Sequence, residues 1–164
     1  MSETSDRLKV AQWALERQLA WISTAEVKVG AVIAINTAML GGLATAFNAS
    51  HLPSRTAWAY LFTLAAAGVS LIALFCAAMA LVPRIAGPKE SLLFFARVAA
   101  GECHDYQERF AKASDAELLK DFTAQVYRNA EIASDKYKWV GKAIRWSSFN
   151  ILPWVAAIGL LVKA

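Results

Sequence analysis

The 164-residue sequence is poor in charge and in cysteine. Asp, Glu, Lys and Arg make up 18% of it, and hydrophobic residues make up 57%. Soluble domains carry about 25% charged residues, and a chain this short cannot bury so much apolar surface on its own. The two cysteines, Cys76 and Cys103, are far apart and match neither a disulfide framework nor a zinc-ligand spacing. The composition excludes a disordered chain and points to a lipid environment.

Motifs of common enzyme chemistry are also missing from the sequence. It contains no Gly-rich phosphate loop, no H-E-x-x-H and no G-x-S-x-G. Cys103 and His104 are adjacent, but consecutive residues of a helix point about 100° apart and do not face each other. We therefore predict a protein that is not an enzyme, with no catalytic residue, no metal and no cofactor.

Three long runs contain no Asp, Glu, Lys or Arg, and they cover residues 29–47, 56–83 and 146–162. A helix rises about 1.5 Å per residue, so the first run matches the hydrocarbon thickness of a bilayer. The third run is the shortest and contains Pro153. We predict an all-α membrane protein with three transmembrane helices and an external loop at residues 48–55.

Basic residues are unevenly distributed around these runs. Eleven lie in residues 84–145 and four in residues 1–28, whereas the loop at 48–55 has one. Because Lys and Arg next to a span resist translocation, both richer segments should be cytoplasmic. The C-terminus then lies on the outer side. The charged residues of segment 1–28 also argue against a cleaved signal peptide.

Segment 1–28 has the pattern of an amphipathic helix. Its apolar residues recur every three or four positions, at Leu8, Ala11, Leu15, Leu19 and Ile22. We expect this stripe to pack against the cytoplasmic segment or to lie on the inner leaflet.

Segment 84–145 predicts a cytoplasmic antiparallel helical hairpin between the second and third spans. Ser114 and Glu117 have the spacing of a capping box, so a second helix should begin near Asp115 and run into the third span. A first helix is predicted from about Lys89 to Lys112. Its apolar stripe is Leu92, Phe95, Ala99, Tyr106 and Phe110. The stripe of the second helix is Leu119, Phe122, Val126, Ala130, Ala133, Tyr137 and Val140.

Small residues occupy every fourth position of the first span, and these are Gly30, Ala34, Ala38, Gly42 and Ala46. They would form a helix-association surface, either against the second span or between copies of the chain. Asn36 lies in the same span, where its amide should bond a backbone carbonyl, pair across subunits or line a polar path.

Two basic groups are candidate contact sites. Lys138, Lys142 and Arg145 follow a helical spacing just inside the third span, where lipid headgroups are the expected partners. Arg97, Tyr106 and Arg109 combine two guanidinium groups with an aromatic ring, so they could bind a phosphate and stack on a base. The alternative is a solvated face beside a core tyrosine.

Short motifs follow one another in a fixed order around the three runs. The first block comprises Trp21-Ile22, Ala25-Glu26-Val27-Lys28 and Ile33-Ala34-Ile35-Asn36. The second comprises Ser91-Leu92-Leu93-Phe94-Phe95, Tyr106, Asp121, Gln125-Val126-Tyr127, Ile132-Ala133 and Lys136-Tyr137. This order resembles the transmembrane effectors of Pycsar, the pyrimidine cyclase system for antiphage resistance. Glu26 stands where the family pattern leads us to expect Asp.

This resemblance implies an effector without enzymatic activity in the bacterial inner membrane. A partner cyclase would make cyclic UMP or cyclic CMP on infection, and the effector would respond by impairing the membrane and causing abortive infection. The resemblance implies no DNA or RNA partner and supplies no binding residues, so Arg97, Tyr106 and Arg109 are a hypothesis. We also expect a homo-oligomer. The alternative function is a scaffolding membrane subunit whose hairpin binds a protein.

Overall fold

Helices account for nearly all of the computed structural model, which describes residues 3–88 and 90–163. No strand occurs in those residues. The helices are α1 (Glu3–Ala49), α2 (Ala57–Leu81), α3 (Phe95–Val98), α4 (Cys103–Lys112) and α5 (Asp115–Val162), with a 3-10 turn at Leu52–Ser54. The chain divides into two compact units. Unit 1 contains the residues up to Thr24 and Pro83–Asp135, and unit 2 contains Ala25–Val82 and the residues from Lys136 onward.

Helices α1, α2 and α5 are long and apolar enough to cross a membrane. The three charge-free runs fall in these helices, apart from Thr56, Val82 and Pro83 at the ends of the second run. The prediction of three helices long and apolar enough to cross a membrane is therefore confirmed. The first run is the second part of a single 47-residue helix, because no helix-breaking residue separates it from the N-terminal stripe. The third run likewise continues a helix that begins at Asp115 and passes through Pro153 without ending.

Small side chains form much of the interface among the spans in unit 2. The buried residues of α2 fall on one face and are Ala59, Ala66, Ser70, Ala73, Cys76, Ala77 and Ala80. Side chains of this size let helix backbones approach closely, which gains van der Waals contact that lipid does not supply. Two apolar clusters result. The inner cluster includes Val29, Cys76 and Val140, and the outer cluster includes Leu43, Ala66 and Leu161.

Arg55 closes the connection between α1 and α2. Its guanidinium donates to the carbonyl oxygens of Phe47 and Ser50 at 2.7 and 2.8 Å, and it lies 4.1 Å from the centre of the Phe47 ring. The last carbonyls of a helix have no partner within the helix, so this side chain caps α1. Thr56 then caps α2 by accepting from the amide of Ala59.

The start of α5 in unit 1 follows the sequence prediction. The amide of Ser114 donates to Glu117 Oε2 at 2.8 Å, and the amide of Glu117 donates to Ser114 Oγ at 3.3 Å. This reciprocal pair is the predicted capping box. The residues of the predicted stripe on α5 are all buried or half-buried. The N-terminal stripe of α1 is buried or half-buried except at Leu19.

The prediction of one helix from Lys89 to Lys112 is wrong. The chain there forms the short α3 and the separate α4, and Phe95 and Phe110 of the predicted stripe are exposed. Gly101 disfavours a continuous helix, and side chains hold the amides at residues 92–94 in a turn. None of the ten residues of α4 is buried, so an antiparallel hairpin stays a prediction. Lys89, like residues 1 and 2 of the predicted N-terminal helix, lies outside the described residues.

Candidate functional site

A line of polar side chains runs along the part of α5 that lies in unit 2. Ser147 Oγ accepts from Asn36 Nδ2 at 2.7 Å, and Asn150 Nδ2 donates to Ser70 Oγ at 2.6 Å. One helical turn further, Trp154 Nε1 donates to the carbonyl oxygen of Met39 at 2.8 Å. We call Asn36, Ser70, Ser147, Asn150 and Trp154 the polar seam. It joins α5 to both other spans and lies between the two apolar clusters.

Asn36 and Asn150 of the seam are fully buried, each with 0% exposure. Asn36 Nδ2 also donates to the carbonyl of Val32 at 2.9 Å. The Oδ1 atoms of both residues are buried and accept no hydrogen bond within the part of the chain that the structure describes. Asn36 therefore pairs with a backbone carbonyl and across helices of its own chain, and it keeps an unused acceptor.

A second polar contact ties the three spans together where unit 2 begins and α2 ends. Lys136 of α5 is 6% exposed, and its Nζ donates to Glu26 Oε1 at 2.9 Å and to the carbonyl of Ala80 at 3.0 Å. Ala80 lies in the last turn of α2, where carbonyl groups lack helical donors and attract a cation. Lys28 lies 5.1 Å from the ring centre of Tyr137 beside this pair.

In unit 1, Asp121 and Ser91 form a buried hydrogen-bonded cluster. Asp121 Oδ1 accepts from Ser91 Oγ at 2.7 Å, and its Oδ2 accepts from the amides of Leu92 and Leu93 at 2.7 and 3.2 Å. Gln125 Nε2 donates to Ser91 Oγ at 3.0 Å. The cluster fixes residues 91–94 against α5, so these polar side chains have a structural role that helix periodicity does not reveal.

Beside this cluster lies a cavity of about 720 Å³ with a mixed-charge lining. Its basic side chains are Arg109, Lys112 and Lys120, and its acidic ones are Glu90, Glu117 and Asp121. Lys112 is paired with Glu108 at 2.8 Å, whereas Arg109 and Lys120 form no ion pair with the described residues. The carboxylates of Asp121 and Glu117 are already hydrogen-bonded. Glu117 accepts from the backbone amide and then the hydroxyl of Ser114, which lowers its pKa.

The structure does not place the three candidate nucleotide-binding residues in this one cavity. Arg109 lines it, but Arg97 and Tyr106 are not among the lining residues. Arg97 is exposed on α3, and Tyr106 packs on Phe110 with 5.9 Å between ring centres. Lys120 and the carboxylates of the cavity lie on other segments than Arg97, Tyr106 and Arg109, and cations near an aromatic ring in one predicted helix do not point to them.

The small-residue positions of the first span lie mostly on the outer side of α1. Gly30, Ala34, Ala38 and Gly42 are exposed, and only Ala46 is half-buried. A Cβ atom built at Gly30 would meet nothing within 4 Å, whereas one at Gly42 would lie 3.5 Å from the Trp154 ring. The packed face of α1 is a different one, which includes Val29, Val32 and Asn36.

The three basic residues predicted to contact headgroups are all exposed on α5. Lys142 lies 4.2 Å from the ring centre of Trp139, and Arg145 donates to the carbonyl of Gly141 at 3.3 Å. Lys138 also has a partner within the chain. Within the described residues, no three His, Cys, Asp or Glu side chains are grouped so that they could hold a metal ion.

Comparison with known proteins matches almost the whole chain to one family. A protein-family model described as "Pycsar effector protein domain", PycTM, covers residues 10–163. The chain belongs to the Pycsar effector family. The relative "Pycsar effector protein PtPycTM" of Propioniciclava tarda is 30% identical over an alignment of 133 residues, and the match covers 76% of this chain and 65% of that protein. The chain thus spans slightly less than two thirds of the length of this relative. No solved structure matches it.

Residues that carry the resemblance to Pycsar effectors have defined contacts in the structure. Glu26 pairs with Lys136, Lys28 faces Tyr137, and Asn36 bonds Ser147. In unit 1, Ser91, Asp121 and Gln125 form one cluster. The motif residues of this Pycsar effector therefore hold helices and turns together. The basic residues that line the cavity, Arg109, Lys112 and Lys120, lie outside the motifs.

Proposed function

We propose that this Pycsar effector binds a cyclic pyrimidine nucleotide, cyclic UMP or cyclic CMP, and responds by impairing the bacterial inner membrane. The nucleotide comes from a partner cyclase, and the damage stops the infected cell before phage mature. Membership of the family supports the defence role. The observation that carries the mechanism is the continuity of α5, which runs as one helix from the cavity residues of unit 1 into a membrane-crossing segment.

Arg109 is the best-placed candidate for the phosphate. Its guanidinium lines the cavity beside Lys120, and both cations are free to bind an anion because neither forms an ion pair with the described residues. A cyclic nucleotide carries one negative charge, which an arginine can bind with two parallel hydrogen bonds. Arg97 and Tyr106 complete the proposed contacts if their short helices move toward the ligand.

The mixed lining of the cavity suits a pyrimidine base as well as a phosphate. Glu90 and Glu117 offer carboxylate oxygens, which accept hydrogen bonds from the exocyclic amine of cytosine. Uracil presents a carbonyl at that position instead. A site that uses one of these carboxylates for the base therefore favours cyclic CMP over cyclic UMP.

The orientation that we propose places unit 1 in the cytoplasm and the C-terminus in the periplasm. The excess of Lys and Arg in residues 84–145 supports this arrangement, since such residues remain on the cytoplasmic side. Lys138, Lys142 and Arg145 are then at the level of anionic headgroups.

The exposed small residues of α1 are the proposed contact between copies of the effector in the bilayer. A Gly30→Leu variant tests this contact, because a Cβ atom at this position meets nothing within 4 Å inside one chain and the larger side chain would stand in the way of another copy. We expect it to reduce cross-linked oligomers and membrane damage while nucleotide binding is unchanged. Gly42→Leu is the comparison, since it also disturbs the contact with Trp154 inside the chain.

The experiment for the function is dye leakage from vesicles that contain the effector, titrated with cyclic UMP, cyclic CMP and their purine counterparts. Leakage in response to one pyrimidine nucleotide supports the proposal.

Arg109→Gln should weaken nucleotide binding about tenfold or more, as expected when a charged hydrogen-bonding partner is lost. Arg17→Gln, an exposed arginine of unit 1 outside the cavity, should bind like wild type. Inserted protein that responds to no nucleotide would favour the scaffolding alternative.

A further inference from the structure

The polar seam leaves two buried acceptors in a part of the molecule where lipid surrounds the helices. Asn36 Oδ1 and Asn150 Oδ1 have no hydrogen-bond partner among the described residues, although both residues are 0% exposed. In hydrocarbon, polar groups are expected to find partners inside the protein, because lipid cannot supply them. Two such oxygens within one seam indicate that something else donates to them.

Turning either side-chain amide over, so that its oxygen and nitrogen trade places, would still leave a buried polar atom without a partner. Asn36 Nδ2 faces the carbonyl of Val32 at 2.9 Å, and a carbonyl can only accept, so the nitrogen must be there. Ser70 Oγ can donate or accept, so Asn150 could be turned over. Its nitrogen would then take the position of Oδ1, which has no partner, and would lose both the Ser70 bond and the weak contact with Met39 Sδ at 4.0 Å.

The ligand that fits two amide oxygens is a small hydrogen-bond donor. An anion is excluded because it would face the negative ends of both amide dipoles. Water can donate to one oxygen and bond the next polar group of the seam. The seam extends from Ser147 to Trp154 on α5, which is about 10 Å of helix and enough for a short file of such contacts.

The stretch of α5 that carries the seam is also where this helix can most easily bend and separate from its neighbours. Pro153 has no amide hydrogen, so the carbonyl of Phe149 lacks its usual helical donor, and helices bend at such positions. The seam contacts are also hydrogen bonds between helices, which water can replace one for one. The apolar clusters on either side gain nothing from water.

We propose that the polar seam binds water between the spans of the resting protein and is the place where the bundle opens to water and ions when the effector acts. The second half of this statement rests on the proposed function. The first half does not, because it concerns the protein without any nucleotide.

Thiol accessibility tests the resting protein. In a Cys76→Ala, Cys103→Ser background, Ser147→Cys puts a thiol in the seam and Ala157→Cys puts one in the outer apolar cluster of the same helix. Silver ion reaches thiols through water, forms a sulfur–silver bond and releases the thiol proton. Protein in vesicles of phosphatidylethanolamine and phosphatidylglycerol is treated with silver and unfolded, and the remaining thiols are labelled. We expect the thiol at 147 to be consumed about tenfold faster than that at 157. Equal, slow consumption would overturn the proposal.

Leakage tests the second half. Asn36→Leu removes one seam amide with a side chain of similar branching, and the exposed Asn48→Leu on the same helix is its control. We expect Asn36→Leu to remain folded, to bind nucleotide normally and to leak about tenfold less, whereas Asn48→Leu leaks like wild type. Full leakage from folded Asn36→Leu would show that opening occurs elsewhere. Wild-type protein that never leaks would remove the proposed function and leave the silver result intact.

Discussion

The two units use the same helix, α5, in opposite ways. In unit 1 its side chains are held by a cluster, in which Asp121 alone accepts three hydrogen bonds from residues 91–93. In unit 2 it is held by Lys136, which contacts α1 and α2, and by single contacts spaced along the polar seam, each to a different helix position. One long helix therefore changes from a clustered to a distributed set of polar contacts along its length.

The proposed orientation, with unit 1 in water and the spans of unit 2 in lipid, accounts for the difference. Where water reaches, it competes for every hydrogen bond, so a turn becomes rigid only when several donors converge on one charged group. Where lipid surrounds the helices, there is little competition and one amide or indole can select a neighbour. A substitution that removes one partner of a contact leaves the other polar group unpaired. The resulting loss of stability shows how much each unit depends on that contact.

The largest expected effect comes from Glu26→Ala, which leaves Lys136 buried with only the Ala80 carbonyl as partner. Breaking a buried pair from one side typically costs 3–5 kcal/mol, and we expect about 3 kcal/mol because Glu26 is half-exposed. Lys136→Met should cost less, since it leaves a carboxylate that water can reach. The thermal transition of both variants in detergent gives the order. A larger loss for Lys136→Met would mean that packing, not charge, dominates this contact.

In unit 1, Asp121→Ala should cost about 2 kcal/mol, because it frees a hydroxyl and two amides at once. The effect should remain local. Hydrogen exchange at the amides of Leu92 and Leu93 should accelerate, while exchange in the spans is unchanged. Asp115→Ala, an exposed aspartate at the start of the same helix, is the control. Faster exchange throughout α2 would contradict the view that the cluster serves unit 1 alone.

A smaller effect is expected at the end of the polar seam. Trp154→Phe keeps most of the ring but removes the donor to the carbonyl of Met39, and one such bond within a membrane is worth about 1 kcal/mol. Trp58→Phe changes a tryptophan that is 63% exposed and should leave the thermal transition unchanged. If both variants melt alike, the Trp154 contact is too weak to hold α5 against α1.

The sequence predicts the helical class well because it depends on signals that act locally. The three spans follow from charge-free runs, and the start of α5 follows from Ser114 and Glu117, which contact each other within one turn. The absence of a helix at residues 89–94 was missed because its cause is distant in sequence. Asp121 and Ser91 are 30 residues apart, and only folding shows that they bond.

The candidate site was less predictable for the same reason. Asn36 stands out in the sequence as a polar residue within an apolar run, but Ser147, which is 111 residues away, could not be assigned to it from spacing. Helical periodicity also cannot decide which face of a span is buried when several faces are apolar or small. The small residues at Gly30, Ala34 and Ala38 consequently lie outside, while Val29 and Val32 are buried.

The smallest effect concerns acid pH at the start of α5. Hydrogen bonds from the Ser114 amide and hydroxyl lower the pKa of Glu117, so ionised Glu117 stabilises the folded cap. This contribution is complete above the usual pKa of a glutamate and is lost as the pH falls through the lowered value. Ser114→Ala should raise the pKa of Glu117 only partly, because the backbone amide, which is the larger cause, is still there. A carboxyl NMR titration measures both values, and an unchanged midpoint would mean that the hydroxyl contributes nothing to the cap.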